Sequence, residues 1–127
     1  MNKKNTFEIL EKIGLSSLSR CLPTALPHGD KKRLEMGIAL ASDPDLLMLD
    51  EPTAGLSIGE SKEIMDLVQN LAKQHGLTVF FTEHDMKVVF SVSERIIVMH
   101  NGSLIADGIP EVISGNAEVQ NVYLGGR

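Results

Sequence analysis

Four consecutive apolar residues, Leu46-Leu47-Met48-Leu49, run directly into Asp50-Glu51-Pro52. Such a run is too short for a buried helix and shows no polar alternation. It therefore predicts a strand covered on both faces, the pattern of a parallel sheet inside an α/β protein. Ligands of open parallel sheets bind beyond the carboxyl ends of the strands, so the acidic end of this run is where chemistry is to be sought.

The flanking segments supply the helices such a sheet needs. Ser57 and Glu60 are spaced as a capping box, and Ile64, Leu67, Val68 and Leu71 repeat at i, i+3, i+4 and i+7 before Gly76 stops the helix. Leu77 to Thr82 is a second apolar strand, ending in Glu83-His84-Asp85. A short helix around Met86 to Val92 leads to a strand from Arg95 to Met99. Asn101-Gly102 is a two-residue hairpin turn into Ser103 to Ala106, and Pro110 opens a broken helical region reaching Tyr123. Upstream, Thr6 is placed to cap a short helix whose Phe7, Leu10 and Ile13 share a face and which Gly14 ends. Leu22 to Gly29 is rich in turns, and Asp30 to Ser42 reads as a second helix, basic at its start and broken by Asp43-Pro44. Strands alternating with helices imply a parallel sheet with right-handed crossovers.

Size and composition fit one small unit. The chain has 127 residues, 43% of them hydrophobic, with 12 basic against 17 acidic side chains. Disorder is not expected at that apolar fraction, and the net charge of −5 argues against nucleic acid as the main partner. The single cysteine, Cys21, excludes a disulfide scaffold and suits a reducing cytoplasm. The longest apolar run, Met36 to Ala41, is far short of the ~20 residues a bilayer span needs. Lys3 and Lys4 are followed by Glu8 and Glu11, which interrupt anything like a signal peptide.

Adjacent side chains on a strand point to opposite faces, so Asp50 and Glu51 cannot do the same job. One carboxylate can hold Mg²⁺, and the other can orient or deprotonate a water for in-line attack on a phosphoryl group. Taken alone, the pair fits equally well two acids that cap the Pro52 turn or balance nearby cations.

The surrounding residues carry a resemblance. Leu46 to Thr53 resembles the Walker B segment of ATP-binding cassette (ABC) ATPases, and Ala54-Gly55-Leu56-Ser57 stands where that family has its D-loop. His84 stands at the family's switch histidine. Leu26-Pro27-His28-Gly29-Asp30-Lys31-Lys32-Arg33-Leu34-Glu35 stands at its signature loop and helix. Asp107-Gly108 and Tyr123-Leu124-Gly125 resemble cassettes of the branched-chain amino-acid importer subgroup.

The resemblance implies an α/β, three-layer P-loop NTPase-like fold with a mostly parallel sheet. Residues 1–42 would be part of the helical subdomain, and residues 43–127 the carboxyl-terminal part of the nucleotide-binding core. Asp50 would take Mg²⁺, Glu51 would be the general base and His84 would contact the γ-phosphate of ATP. Pro27, His28, Gly29 and Asp30 would face a nucleotide bound by an opposing subunit, and Gly55, Leu56 and Ser57 would form the D-loop. The implied partners are a second cassette subunit or a missing amino-terminal half, together with transmembrane permease subunits, in a homo- or hetero-oligomer. The implied location is the cytoplasmic face of the cell membrane.

This signature departs from the common Leu-Ser-Gly-Gly-Gln. Pro27 replaces a serine, removing a hydroxyl and a backbone donor, and Asp30 brings negative charge toward the expected phosphate unless it caps its helix or is paired.

The phosphate-cradling P-loop needs Gly, four residues, Gly, then Lys and Ser or Thr. Of the 11 glycines none precedes a lysine and no two are five residues apart, so the motif is absent from this sequence. The resemblance is therefore to the carboxyl-terminal half of a cassette, and little ATP hydrolysis is expected of this chain alone. Met1 fits a true start or an internal methionine equally. Sheet edges lacking their amino-terminal neighbours would invite pairing with another chain. Two other readings stand beside the catalytic one. The first is a truncated or degenerate fragment acting as a non-hydrolysing interaction module. The second is a free-standing Mg²⁺ carboxylate site, for which Glu83 and Asp85 are the further acids at hand.

Overall fold

The computed structural model describes residues 3–125, with side chains from residue 5 onward. Met1 and the side chains of Lys3 and Lys4 lie outside the described residues. The chain divides after Thr82 into two compact units.

The first unit contains α1 (Lys3–Lys12), two short 3-10 turns (Ser16–Leu18 and Pro23–Ala25), α2 (His28–Leu40), β1 (Leu46–Asp50), α3 (Ile58–His75) and β2 (Thr78–Thr82). β1 and β2 pair in parallel, from Leu46 opposite Thr78 to Asp50 opposite Thr82. α3 forms as its sequence directs. Glu60 N–H donates to Ser57 Oγ at 3.3 Å, Ser57 N–H donates to Glu60 Oε2 at 2.8 Å, and Gly76 ends the helix in the left-handed conformation. Ile64, Leu67, Val68 and Leu71 are all buried, joined in the core by Ile13, Leu15, Met36, Leu47, Met65 and Leu77. α1 packs on α2, α2 on α3, and α3 on β2. At Gly37 a β-carbon would come within 2.6 Å of Ile13 Cδ1, so any larger residue there would force the buried Ile13 side chain to shift.

Three expectations need correction. α1 starts at Lys3, so Thr6 lies inside the helix and does not cap it. A cap contributes only about 1 kcal/mol, which continuous helical pairing overrides. α2 starts at His28 and not at Asp30; Pro27 is its N-cap residue and Asp30 falls in the first turn. β1 is covered on one face only: Leu47 is 3% exposed, whereas Met48 is 67% and Leu46 49% exposed. Phe80 of β2, opposite Met48, is 47% exposed, so the uncovered face is continuous across both strands. An apolar run with no alternation encodes two covering layers, and the described residues supply one.

The second unit contains α4 (Met86–Val92), β3 (Ile96–His100), β4 (Ser103–Gly108), α5 (Pro110–Ser114) and α6 (Ala117–Tyr123). Among the described residues β3 hydrogen-bonds to β4 as an antiparallel hairpin, with a register shift between Val98 and Met99. The parallel ladder itself consists of β1 and β2. Asn101 and Gly102 both have positive φ (48° and 77°), the backbone that a tight hairpin turn with right-handed strand twist requires. Asp85 accepts from Lys87 N–H at 2.9 Å and so caps α4, and Asn116 caps α6 in the same way. α5 and α6 pack on β4 around buried Ile113 and Val119. No helix among the described residues is long and apolar enough to cross a membrane.

Candidate functional site

Asp50 is the last residue of β1 and lies opposite Thr82, the last residue of β2. Side chains of residues paired in register leave the same face of a sheet, so the two lie side by side. Thr82 Oγ1 donates to Asp50 Oδ1 at 2.5 Å and accepts from Glu51 N–H at 3.1 Å; the same N–H also reaches Thr82 O at 3.0 Å. Glu51 turns the chain with φ 45°, in the left-handed region, and Ala54 N–H closes the following turn on Glu51 O at 3.0 Å. Pro52 and Thr53 within that turn are buried, while both carboxylate residues are exposed. The two acids therefore differ in backbone as well as direction: Asp50 continues the strand and Glu51 leaves it.

Among the described residues Asp50 Oδ2 takes no hydrogen bond, and no group of three or more His, Cys, Asp or Glu side chains converges on a metal position. One carboxylate with an oxygen to spare fits Mg²⁺, which keeps several waters and is commonly held by one or two protein carboxylates plus phosphate oxygens. It does not fit an all-protein metal cage, and Asp85 is engaged in capping α4. The free-standing carboxylate reading therefore lacks its further ligands among the described residues.

The start of α2 and the Gly55 loop are brought together. His28 Nε2 is 3.3 Å from Ala54 O, a contact in which that nitrogen donates. Gly55 lies so close to His28 that a β-carbon there would be 3.2 Å from the ring nitrogen. Gly29 faces Glu60 and Leu56. A cleft of about 140 Å³ opens here, lined by Pro27, Gly29, Asp30, Arg33, Glu60 and Glu63 among others. Arg33, 19% exposed, organises the cleft: it donates to Ile13 O and to Glu63 Oε2, each at 3.3 Å, and approaches Asp30 at 3.9 Å. The negative charge of Asp30 is thus paired, and it also sits in the first turn of a helix, where the macrodipole favours it. Hydrogen bonding from the Ser57 backbone, and then from its side chain, holds the Glu60 carboxyl below its ordinary value.

His84 lies two residues beyond Thr82, as the second residue of the second unit and immediately before the Asp85 cap. Thr82 escaped the sequence reading. Its only signal was a hydroxyl at the end of an apolar strand, and its pairing with Asp50 emerges only once the parallel register is known.

No protein-family model matches the chain. It is 42% identical over 116 residues to the high-affinity branched-chain amino acid transport ATP-binding protein LivG of Escherichia coli (strain K12), a match spanning 91% of this chain and 46% of LivG. BraF of Pseudomonas aeruginosa, named for the same transport, is 40% identical over 116 residues, with the same shares covered. A solved ATP-binding cassette of an ABC transporter in its ADP conformation matches with a TM-score of 0.87 at 31% identity, covering 96% of this chain and 49% of that one. CbiO1 of Clostridium perfringens, part of the ABC transporter complex CbiONQ, gives 0.84 at 32% identity, covering 96% and 49%. The chain spans about half the length of the curated relatives it matches. The α/β fold with a parallel ladder agrees with the resemblance already visible in the sequence. The chain belongs to the ATP-binding cassette ATPases and corresponds to the carboxyl-terminal half of a cassette.

Proposed function

We propose that this chain is the carboxyl-terminal, catalytic portion of an ABC importer ATPase, working when a P-loop-bearing amino-terminal half is present. It couples ATP hydrolysis to uptake of branched-chain amino acids or a similar small polar solute through permease subunits at the inner face of the membrane. The observation that carries this reading is the acidic pair at the carboxyl end of a parallel strand, in a chain 42% identical to LivG. Residues 1–42 belong to the helical subdomain and 43–127 to the nucleotide-binding core.

Asp50 offers Oδ2 to Mg²⁺, which when bound neutralises phosphate charge. Glu51, turned out of the strand, accepts a proton from the attacking water, and His84 contacts the γ-phosphate. Pro27, His28, Gly29 and Asp30 lie at the amino end of α2, where backbone N–H groups and the helix dipole favour an anion bound by an opposing cassette. Gly55, Leu56 and Ser57 adjoin that loop as the D-loop, and the His28–Ala54 contact ties the two together.

The test is ATP turnover after reconstitution with a P-loop-bearing half. Glu51→Gln is expected to lower kcat by about 10²- to 10⁴-fold, the usual contribution of a general base. Unchanged turnover in that variant removes the base assignment. No turnover in any reconstitution, with no Mg²⁺·ATP-dependent rise in melting temperature, leaves the chain a non-hydrolysing module.

A further inference from the structure

The roles given to Asp50 and Glu51 leave unexplained why both lean on one neutral side chain. Thr82 Oγ1 carries one hydrogen and two lone pairs. The hydrogen goes to Asp50 Oδ1 at 2.5 Å, and a lone pair receives Glu51 N–H at 3.1 Å. Valine or isoleucine would continue β2 equally well, being β-branched, and would form neither bond. Glu51 meanwhile holds φ 45°, a conformation that non-glycine residues adopt only where the surroundings impose it.

We infer that Thr82 is the positioning residue of this acidic turn: its hydroxyl fixes the Asp50 carboxylate with Oδ2 left for a divalent cation, and pins Glu51 N–H so that the chain leaves the strand in the left-handed conformation. The cation part rests on the reading of Asp50 given above; the backbone and rotamer part does not. Asp50, Glu51 and Thr82 are all exposed, so this bond to the carboxylate stands at the surface and not within a packed core. A merely strand-forming Thr82 would tolerate loss of its oxygen. A positioning one would not.

The experiment uses the full chain, isotope-labelled for NMR, as wild type, Thr82→Val and Thr82→Ser. In wild type and Thr82→Ser, the Asp50 Hα–Hβ couplings are expected to report a single χ1 rotamer, and the Glu51 carbon shifts a left-handed residue. In Thr82→Val the couplings average, and Glu51 amide exchange quickens about three- to tenfold, the range a single net hydrogen bond supports. With Mn²⁺ as a paramagnetic substitute for Mg²⁺, line broadening at Asp50 needs several-fold more cation in Thr82→Val than in Thr82→Ser. Couplings and exchange that stay at wild-type values in Thr82→Val overturn the inference, as does a loss that serine fails to restore. Absence of Mn²⁺ broadening at Asp50 in the wild type strikes the metal reading instead, and the couplings and exchange still decide the role of Thr82.

Discussion

The two strand pairs of this protein are held together by different parts of the sequence. β1 and β2 are parallel, so no tight turn can join them; the connection is the 18-residue helix α3 and its loops. α3 in turn packs on β2, and its Leu71 is buried in the core of this unit. β3 and β4 are antiparallel and adjacent, joined by Asn101-Gly102 and tied near their open end by Arg95, whose Nε and Nη2 donate to both oxygens of Asp107 at 2.8 and 2.7 Å. The Tyr123 hydroxyl adds a bond to the Met99 carbonyl, with the His100 ring edge-on to the phenol at 6.3 Å. The hairpin is written locally, in its turn and its charge pair. The parallel ladder is written in helical periodicity elsewhere. It also carries the candidate chemistry, because the carboxyl ends of both its strands fall at one edge.

If that contrast holds, the largest effect belongs to the layer beneath β1–β2. Leu71→Ala, at a fully buried position of α3, is expected to destabilise the first unit by about 2–5 kcal/mol. Met48→Ala, on the uncovered face of the same ladder, should stay within about 0.5 kcal/mol of wild type. Urea unfolding followed by amide exchange in β1 and β2 measures both. A Met48→Ala cost comparable to that of Leu71→Ala would mean that the outer face is covered after all, and the one-layer description of this unit would fall.

A smaller effect is expected at the hairpin turn. Gly102 holds φ 77°, and a β-carbon there meets no atom within 4 Å, so the cost of alanine is backbone strain alone, about 1–2 kcal/mol. Exchange of the β3 and β4 amides in Gly102→Ala reads it. No change would show that the charge pair and Tyr123 hold the register without the turn.

This division also explains what was legible in the sequence. α3, with its capping box, apolar stripe and terminal glycine, was written in local signals and formed as read; so did the Asn101-Gly102 hairpin and α4. Thr6 and Asp30 misled because capping side chains mark where a helix can start, while continued backbone pairing decides where it does. The apolar run of β1 identified a parallel strand but overstated its burial, since a strand's sequence reports the layers it is suited to and not the layers at hand. In the site, Asp50 and Glu51 stood out by type and position. Thr82 did not, because its partner lies 32 residues away and is selected by register.

The smallest effect tests the local tie of the hairpin through pH. The hydrogen bonds from Arg95 lower the folded-state pKa of Asp107 below its ordinary value. The unfolded chain therefore binds a proton at Asp107 more readily than the folded one, and stability rises with pH through this window. The contribution is complete above the ordinary carboxylate range and fades as pH falls through the depressed folded value. Asp107→Asn removes that dependence, so wild type and variant should converge in melting temperature at strongly acid pH and separate above it, by a modest amount because the pair is exposed and screened by salt. The control lies in the first unit: Lys62 and Asp66 form an exposed pair one helical turn apart on α3, at 2.9 Å, and Asp66→Asn should leave the hairpin's acid limb untouched. Identical acid limbs in wild type and Asp107→Asn, read from β3 and β4 amides, would mean that the turn alone sets the hairpin and the charge pair merely accompanies it.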